Sequence, residues 1–315
     1  MKIGIIGAGN VGSATAFALL IQGIARKIVL IDANEKRAEA EAADIAHAAP
    51  FSYAGKIKAG TYKDLEGAKV VIVTAGANQK PGEPRTALLE RNVKIFENII
   101  PQIVHNAPNC ILLIAANPVD IMTAVALKLS NFPQERVFGS GTILDSARFR
   151  TLLGYHLSVS PKSVHASVMG EHGDSEVLIW SSAVAGTVQV ETLAKQINKP
   201  FTTEIKKQID NQVRNAAYSI IEGKGATFYG IAGAIARICQ AISSNEHAVL
   251  NVSIFHETFE DSRNICLSHP CIIGKYGILG KLDPEFTPEE DKALAQSAAK
   301  IEEFTQKALS YISSK

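Results

Sequence analysis

Short apolar runs alternate with longer segments of helical spacing through the first half of the chain. Lys2–Ile6, Lys27–Ile31, Val70–Thr74 and Cys110–Ala115 are nearly continuous in aliphatic residues, as strands buried on both faces of a parallel sheet should be. Between them, Val11–Gln22, Glu35–Ala48 and Arg85–His105 carry the period of crossover helices, the last with a break expected near Pro101. Strand and helix in this succession predict a doubly wound parallel sheet of the Rossmann type, with ligands beyond the carboxyl ends of its strands.

The pattern then changes. Lys162–Val168, Val249–Phe255 and Ile272–Leu279 read as strands, and Thr202–Glu222 and Pro288–Ser313 as long amphipathic helices, a mixture that predicts an α+β domain after the α/β one. No linker rich in Gly, Ser or Pro separates the halves. A soft boundary is placed at Gly139–Thr142, giving units of 1–141 and 142–315 with extensive contact between them.

Bulk properties remove whole classes of function. The 315 residues can bury a large core, and 32 basic against 31 acidic side chains leave a formal charge of +1. No global field then attracts nucleic acid or an anionic membrane surface, and an anionic ligand must be held by local charges. No apolar stretch is long enough for a membrane span, and the glycines after Lys2 interrupt any resemblance to an export signal. Cys110, Cys239, Cys266 and Cys271 contain no CxxC pair. They are expected to be reduced packing thiols in a cytoplasmic protein, and no metal site is expected.

Gly7-Ala8-Gly9-Asn10-Val11-Gly12 follows the first strand and opens the first helix, the context that gives a GxGxxG its meaning. Gly7 permits the tight turn, Gly9 lets backbone approach a pyrophosphate, and Gly12 allows close packing of helix on strand. The pyrophosphate would rest on the free N–H groups at the start of the helix, including those of Asn10 and Val11. Asp32 ends the second strand, where a carboxylate binds an adenosine ribose and repels a 2′-phosphate. NAD is therefore expected rather than NADP. The plainer alternative is a strand-to-helix turn with Asp32 as a cap for the helix near Asn34.

Four further motifs are spread over both halves: Asn78-Gln79-Lys80-Pro81-Gly82-Glu83-Pro84-Arg85, Asn117-Pro118-Val119-Asp120, Leu144-Asp145-Ser146-Ala147-Arg148 and Gly170-Glu171-His172-Gly173-Asp174. With the glycine turn, they make the chain resemble the lactate/malate dehydrogenase family over essentially its whole length. The resemblance implies that a 2-keto acid is reduced by hydride from NADH while a proton reaches the carbonyl oxygen. His172 has the side chain for that proton, and the resemblance gives Asp145 as the carboxylate that tunes it. It gives Arg148 as the clamp on the substrate carboxylate and Arg85 as a charge brought in by the closing loop to polarise the keto oxygen. Asn117 would hydrogen-bond at the site and contact the cofactor. Thr227 and Ile231 resemble the substrate-pocket threonine and the apolar residue against the nicotinamide. Each has a bland rival: Asp145 as a cap, Arg148 as a surface ion pair, Asn117 as a turn residue, Thr227 as a helix-start hydroxyl.

Within the family, Gln79 discriminates. Malate-type loops carry arginine there to match the second carboxylate of oxaloacetate, whereas glutamine leaves it unmatched. Glu83 adds negative charge, so pyruvate and L-lactate are the expected pair. Pro84 departs from the hydroxyl residue usual before the loop arginine and stiffens the loop. A malate or relaxed 2-hydroxy-acid dehydrogenase is the enzymatic alternative, and an idle NAD-binding structural protein the non-enzymatic one. Arg150 and His165 match positions where bacterial relatives bind fructose 1,6-bisphosphate between subunits. A homo-oligomer is expected by the resemblance, as a tetramer or a dimer, although the chain begins directly in its first strand and a tetramer lacks the support of the arm found on the vertebrate enzymes.

Overall fold

The computed structural model describes residues 1–53, 55–77 and 85–313, with only the backbone at Arg85. Six parallel strands form the first half: β1 (Lys2–Ile6), β2 (Lys27–Ile31), β3 (Lys56–Ala59), β4 (Val70–Val73), β5 (Ile111–Ile114) and β6 (Val137–Gly139). Their spatial order is β3-β2-β1-β4-β5-β6, so the strand order reverses between β1 and β4. That is the point where a doubly wound sheet opens a crevice for a ligand. Four crossover helices cover the faces: α1 (Asn10–Ile21), α2 (Glu35–Ala46), α3 (Arg85–Asn106) and α4 (Val119–Ser130).

The continuous apolar character of the strands follows from burial on both sides. Val70 and Ile72 of β4 join one core with Leu19 and Leu20 of α1. Val71 and Val73 join the other with Val93 and Phe96 of α3 and Met122 of α4. α3 continues through Pro101, because that proline is exposed while Phe96, Ile100 and Ile103 of the same helix are buried. The helix runs as one element from Arg85 to Asn106, so the expected break does not occur.

The second half contains α5 (Ile143–Leu157), β7 (Val164–Met169), β8 (Val177–Ala185), β9 (Val188–Gln189), α6 (Val190–Gln196), α7 (Thr203–Lys224), α8 (Tyr229–Ser244), β10 (Ala248–Phe259), β11 (Ser262–Gly274), β12 (Gly277–Lys281) and α9 (Pro288–Ser310). β7, β8 and β9 form a separate antiparallel sheet, against which α5, α6 and α7 pack a core of their own around Phe149, Val168 and Leu178. β10, β11 and β12 instead extend the large sheet to nine strands, antiparallel to β6. The join is the pair Ser253 and Gly139. A Cβ on Gly139 would stand 2.4 Å from Thr123 Oγ1, so only glycine allows the strand to come this close.

One predicted strand is corrected. Ile272–Leu279 is the end of β11, a turn at Lys275 and Tyr276, and the start of β12. The turn is permitted by Gly277, whose φ of +104° suits no other residue and whose Cβ would lie 2.1 Å from the Glu135 carbonyl.

Candidate active site

At the carboxyl end of β1 the chain turns through Gly7, with φ +109°, and enters α1. A Cβ on Gly12 would fall 1.8 Å from the Gly7 carbonyl oxygen, so this glycine is needed for helix and turn to touch. A Cβ on Gly9 would meet nothing within 4 Å. Gly9 is therefore not required by the protein's own packing, and the space beside its backbone suits a ligand. The first intrahelical bond is donated by Ser13 to Gly9, which leaves the N–H groups of Asn10, Val11 and Gly12 without helical partners. Among the described residues no side chain caps this end, and no acidic residue stands in its first turn. These features fit a dinucleotide pyrophosphate.

Asp32 lies at the end of β2 with both oxygens engaged: Oδ2 accepts from the Ala8 N–H at 2.7 Å and Oδ1 from the Asn34 N–H at 2.8 Å. It thus fastens the glycine turn to the next strand end. The cap of α2 is Asn34, whose side chain accepts from Arg37 N–H. Asn92, fully buried on α3, joins the two neighbouring strand ends: its Oδ1 accepts from Ala77 N–H at 2.7 Å and its Nδ2 donates to the Asn117 carbonyl at 3.0 Å.

A cavity of about 350 Å³ opens beyond β5 between the halves, and Asn117, Asp145, Arg148, His172 and Glu176 stand in its wall. Asp145 is in the first turn of α5 and Arg148 one turn on, so the i,i+3 spacing puts both on one face. Asp145 Oδ2 lies 2.6 Å from His172 Nδ1, and its Oδ1 accepts from Arg148 at 2.7 Å. The Asp145 side chain is 3% exposed with both oxygens engaged, while the Arg148 and His172 side chains keep 17% and 30% exposure at the cavity.

His172 sits on the strap between β7 and β8. Gly170, φ +83°, bends the chain, Glu171 pairs with Lys300 of α9 at 2.7 Å, and Ser297 of α9 accepts the Glu171 N–H at 2.8 Å. The N–H of His172 itself donates to Asp120 of α4. Burial disfavours the imidazolium. The charge and hydrogen bond of Asp145, with Asp120 and Glu176, outweigh it and bring the His172 pKa up to about 9. Asp145 is held below its ordinary value although burial opposes this, because His172 and Arg148 favour its charged form. Burial pushes Asp120 up to about 6, and burial with the Asp145 charge pushes Glu176 up to about 8.

The other expected residues fall in different places. Thr227 lies in the connection between α7 and α8, and Ile231 is half-buried on α8, packed with Val11 against the core on that side. Neither is in the cavity wall. Arg85 is the first residue of α3, but its side chain, with Gln79, Glu83, Pro84 and the rest of 78–84, lies outside the described residues. Arg150 and His165 lie on α5 and β7, where Arg150 Nε donates to the carbonyl of Ala166 at 3.0 Å. The sequence reading gave no role to Asp120, Glu176, Asn92 or Arg214. Asp120 left a signal, a lone carboxylate at the head of the otherwise apolar run of α4.

A dinucleotide turn in the first half and a His–Asp–Arg array drawn largely from the second define a class. Family profiles for the lactate/malate dehydrogenase NAD binding domain and for the lactate/malate dehydrogenase alpha/beta C-terminal domain match residues 1–139 and 142–311. The chain belongs to the lactate/malate dehydrogenase family and is an NAD-dependent oxidoreductase. Among its relatives, the L-lactate dehydrogenase of Thermus aquaticus is 53% identical over 95% of this chain and 96% of its own length. That of Chloroherpeton thalassium is 47% identical over 99% of this chain and 100% of its own. A lactate dehydrogenase from a Medee basin deep-sea metagenome library superimposes with a TM-score of 0.95 at 36% identity, covering 98% of each chain.

Proposed function

We infer that the chain is an L-lactate dehydrogenase that reversibly reduces pyruvate to L-lactate with NADH. The observation that carries the reading is the His172–Asp145–Arg148 array beside Asn117, at the carboxyl end of the dinucleotide sheet. NAD(H) held there would supply the hydride in reduction and accept it in oxidation. Residues 1–141 would hold it through Gly7, Gly9, Asn10, Val11, Gly12, Asp32 and Asn117, and Ile231 of the second half would contribute an apolar contact. Residues 142–315 supply most of the substrate site.

Arg148 binds the substrate carboxylate, and Asn117 and Thr227 help to orient the substrate. With Nδ1 of His172 engaged by Asp145, Nε2 is the atom that gives its proton to the carbonyl oxygen. A pKa near 9 keeps the ring charged at neutral pH, ready to donate. Lactate oxidation needs the neutral ring and should rise with pH. Arg85 would polarise the carbonyl. Idle NAD binding would need neither the dyad nor Arg148. A panel of pyruvate, oxaloacetate and bulkier 2-keto acids with NADH and NADPH tests the assignment. Preference for oxaloacetate would replace it with a malate dehydrogenase.

We further propose that Arg150 and His165 form half of a fructose 1,6-bisphosphate site, completed by a second copy across a twofold axis in a cytoplasmic homo-oligomer, a tetramer or a dimer. Support comes from the position of the Arg150 guanidinium, which lies against the β7 residue next to the exposed His165 and whose pKa burial lowers. An anion would offset that desolvation. Fructose 1,6-bisphosphate titrated at limiting pyruvate, with sedimentation at each concentration, tests it. An unchanged saturation curve and unchanged mass would refute it.

A further inference from the structure

Glu176 is the last residue of the strap before β8, and its side chain is 4% exposed. Its N–H donates to the Gly173 carbonyl at 3.1 Å, so the backbone fixes where the side chain can go. One ligand atom each from Glu176, His172 and Asp145 lie within 4.8 Å of one another. Among the described residues Glu176 Oε1 has no hydrogen-bond partner. A buried carboxylate oxygen without a partner is costly, so its retention beside the proton carrier calls for a chemical reason.

The surroundings limit what that reason can be. α5 brings Asp145 and Arg148, α4 brings Asp120, and α7 brings Arg214, which is already forked onto Asp210. From α9, Lys300 is committed to Glu171. A cation held by the three groups is disfavoured, because Asp145 and His172 already bond each other at 2.6 Å and Arg148 occupies the second Asp145 oxygen.

We propose that Glu176 is a positioning residue for proton transfer, a second carboxylate that stabilises the His172 imidazolium through space and shares its titration. The inference rests on His172 being the proton carrier. Glu176 loses its proton first, at about 8 against about 9 for His172, so its charge supports the imidazolium on the alkaline side of neutrality, where the two ranges overlap. Their protons therefore leave in two steps that belong to the pair.

The test compares wild type, Glu176→Gln, Glu176→Asp and His172→Ala. kcat/KM is followed against pH for L-lactate with NAD and for pyruvate with NADH, beside a melting curve for each variant. Glu176→Gln should move the limb in both directions on the order of one pH unit to the acid side and sharpen it from a broad two-proton limb to a single-proton one. Pyruvate turnover above pH 8 should then fall about tenfold. Glu176→Asp, with the charge one methylene further back, should move the limb the same way by less, and it serves if the glutamine variant does not fold. A limb unmoved in a folded Glu176 variant, with His172→Ala inactive, overturns the role of Glu176 alone. An active His172→Ala overturns the reading beneath it.

Discussion

Asp120 Oδ2 accepts the backbone N–H of His172 at 2.7 Å, so a carboxylate from the first half of the chain holds the histidine of the second that we propose as the proton carrier. Asp120 is 3% exposed and stands in the first turn of α4. Asp120→Ala leaves that N–H without its acceptor and should cost about 1–3 kcal/mol of stability and about tenfold in kcat. Asp120→Asn keeps an acceptor and should lose far less activity. Because folding raises the Asp120 pKa from 3.8 to about 6, its carboxyl contributes stability below 3.8 that is lost as pH rises through 6. The asparagine variant should lack that decline in melting curves taken between pH 4 and 7.

The glycines of the first turn differ in what they accommodate, and alanine should separate them. Gly12→Ala drives a methyl into the Gly7 carbonyl and should destabilise the protein by several kcal/mol. Gly9→Ala meets nothing within 4 Å, so the melting temperature should hold while NADH binding weakens at least tenfold in fluorescence titration. Equal NADH affinity for Gly9→Ala and wild type would remove Gly9 from the cofactor site.

Asp145→Asn removes the charge that holds the His172 pKa near 9. Its pH limb for lactate oxidation should move to the acid side, and pyruvate turnover should fall on the order of 10²–10⁴-fold. Steady-state profiles in both directions check this. A drop in turnover without movement of the limb would mean that Asp145 only shapes the site.

Gln79→Arg supplies the cation that a second substrate carboxylate needs. The ratio of kcat/KM for oxaloacetate to that for pyruvate should rise by at least 10²-fold. An unchanged ratio would place the discrimination elsewhere.

His256 and His269 are buried side by side with ring centroids 5.2 Å apart, near Phe259, Lys281 and Asp283. Burial lowers both pKa values, that of His256 to about 3. The unfolded chain therefore takes up protons from about pH 6.5 downwards while the folded one does not. Stability should be full above 6.5 and fall as pH drops towards 3, by on the order of 2–4 kcal/mol for His256. His256→Gln should flatten the acid side of a plot of melting temperature against pH.

β1, β2, β4 and β5 were legible as apolar runs buried on both faces, and α1, α2 and α3 through their helical spacing; β3, whose residues alternate exposed and half-buried, the three-residue β6, and α4, buried almost all round, left no such pattern. The hairpin around Lys275 was not legible either, since Ile272–Leu279 keeps an apolar character through a turn that only Gly277 makes possible. His172, Asp145 and Arg148 were legible through motifs whose chemistry is specific. Glu176 and Asn92 were not, because the neighbours that give each its place are brought up only by folding. Asn92 is an ordinary helix residue in sequence, yet its amide ties together loops ending two different strands.

The pairing of β10 with β6 through Gly139 has a consequence for attempts to divide this protein. A fragment ending at residue 141 would leave the backbone of β6 open along one side, and a fragment beginning at 142 would carry a three-stranded ribbon with no sheet to close on. Both are templates for strand addition between molecules. Cleavage in the Gly139–Thr142 segment should yield two halves that recombine or aggregate, and a split reporter built on this chain would have to be cut elsewhere.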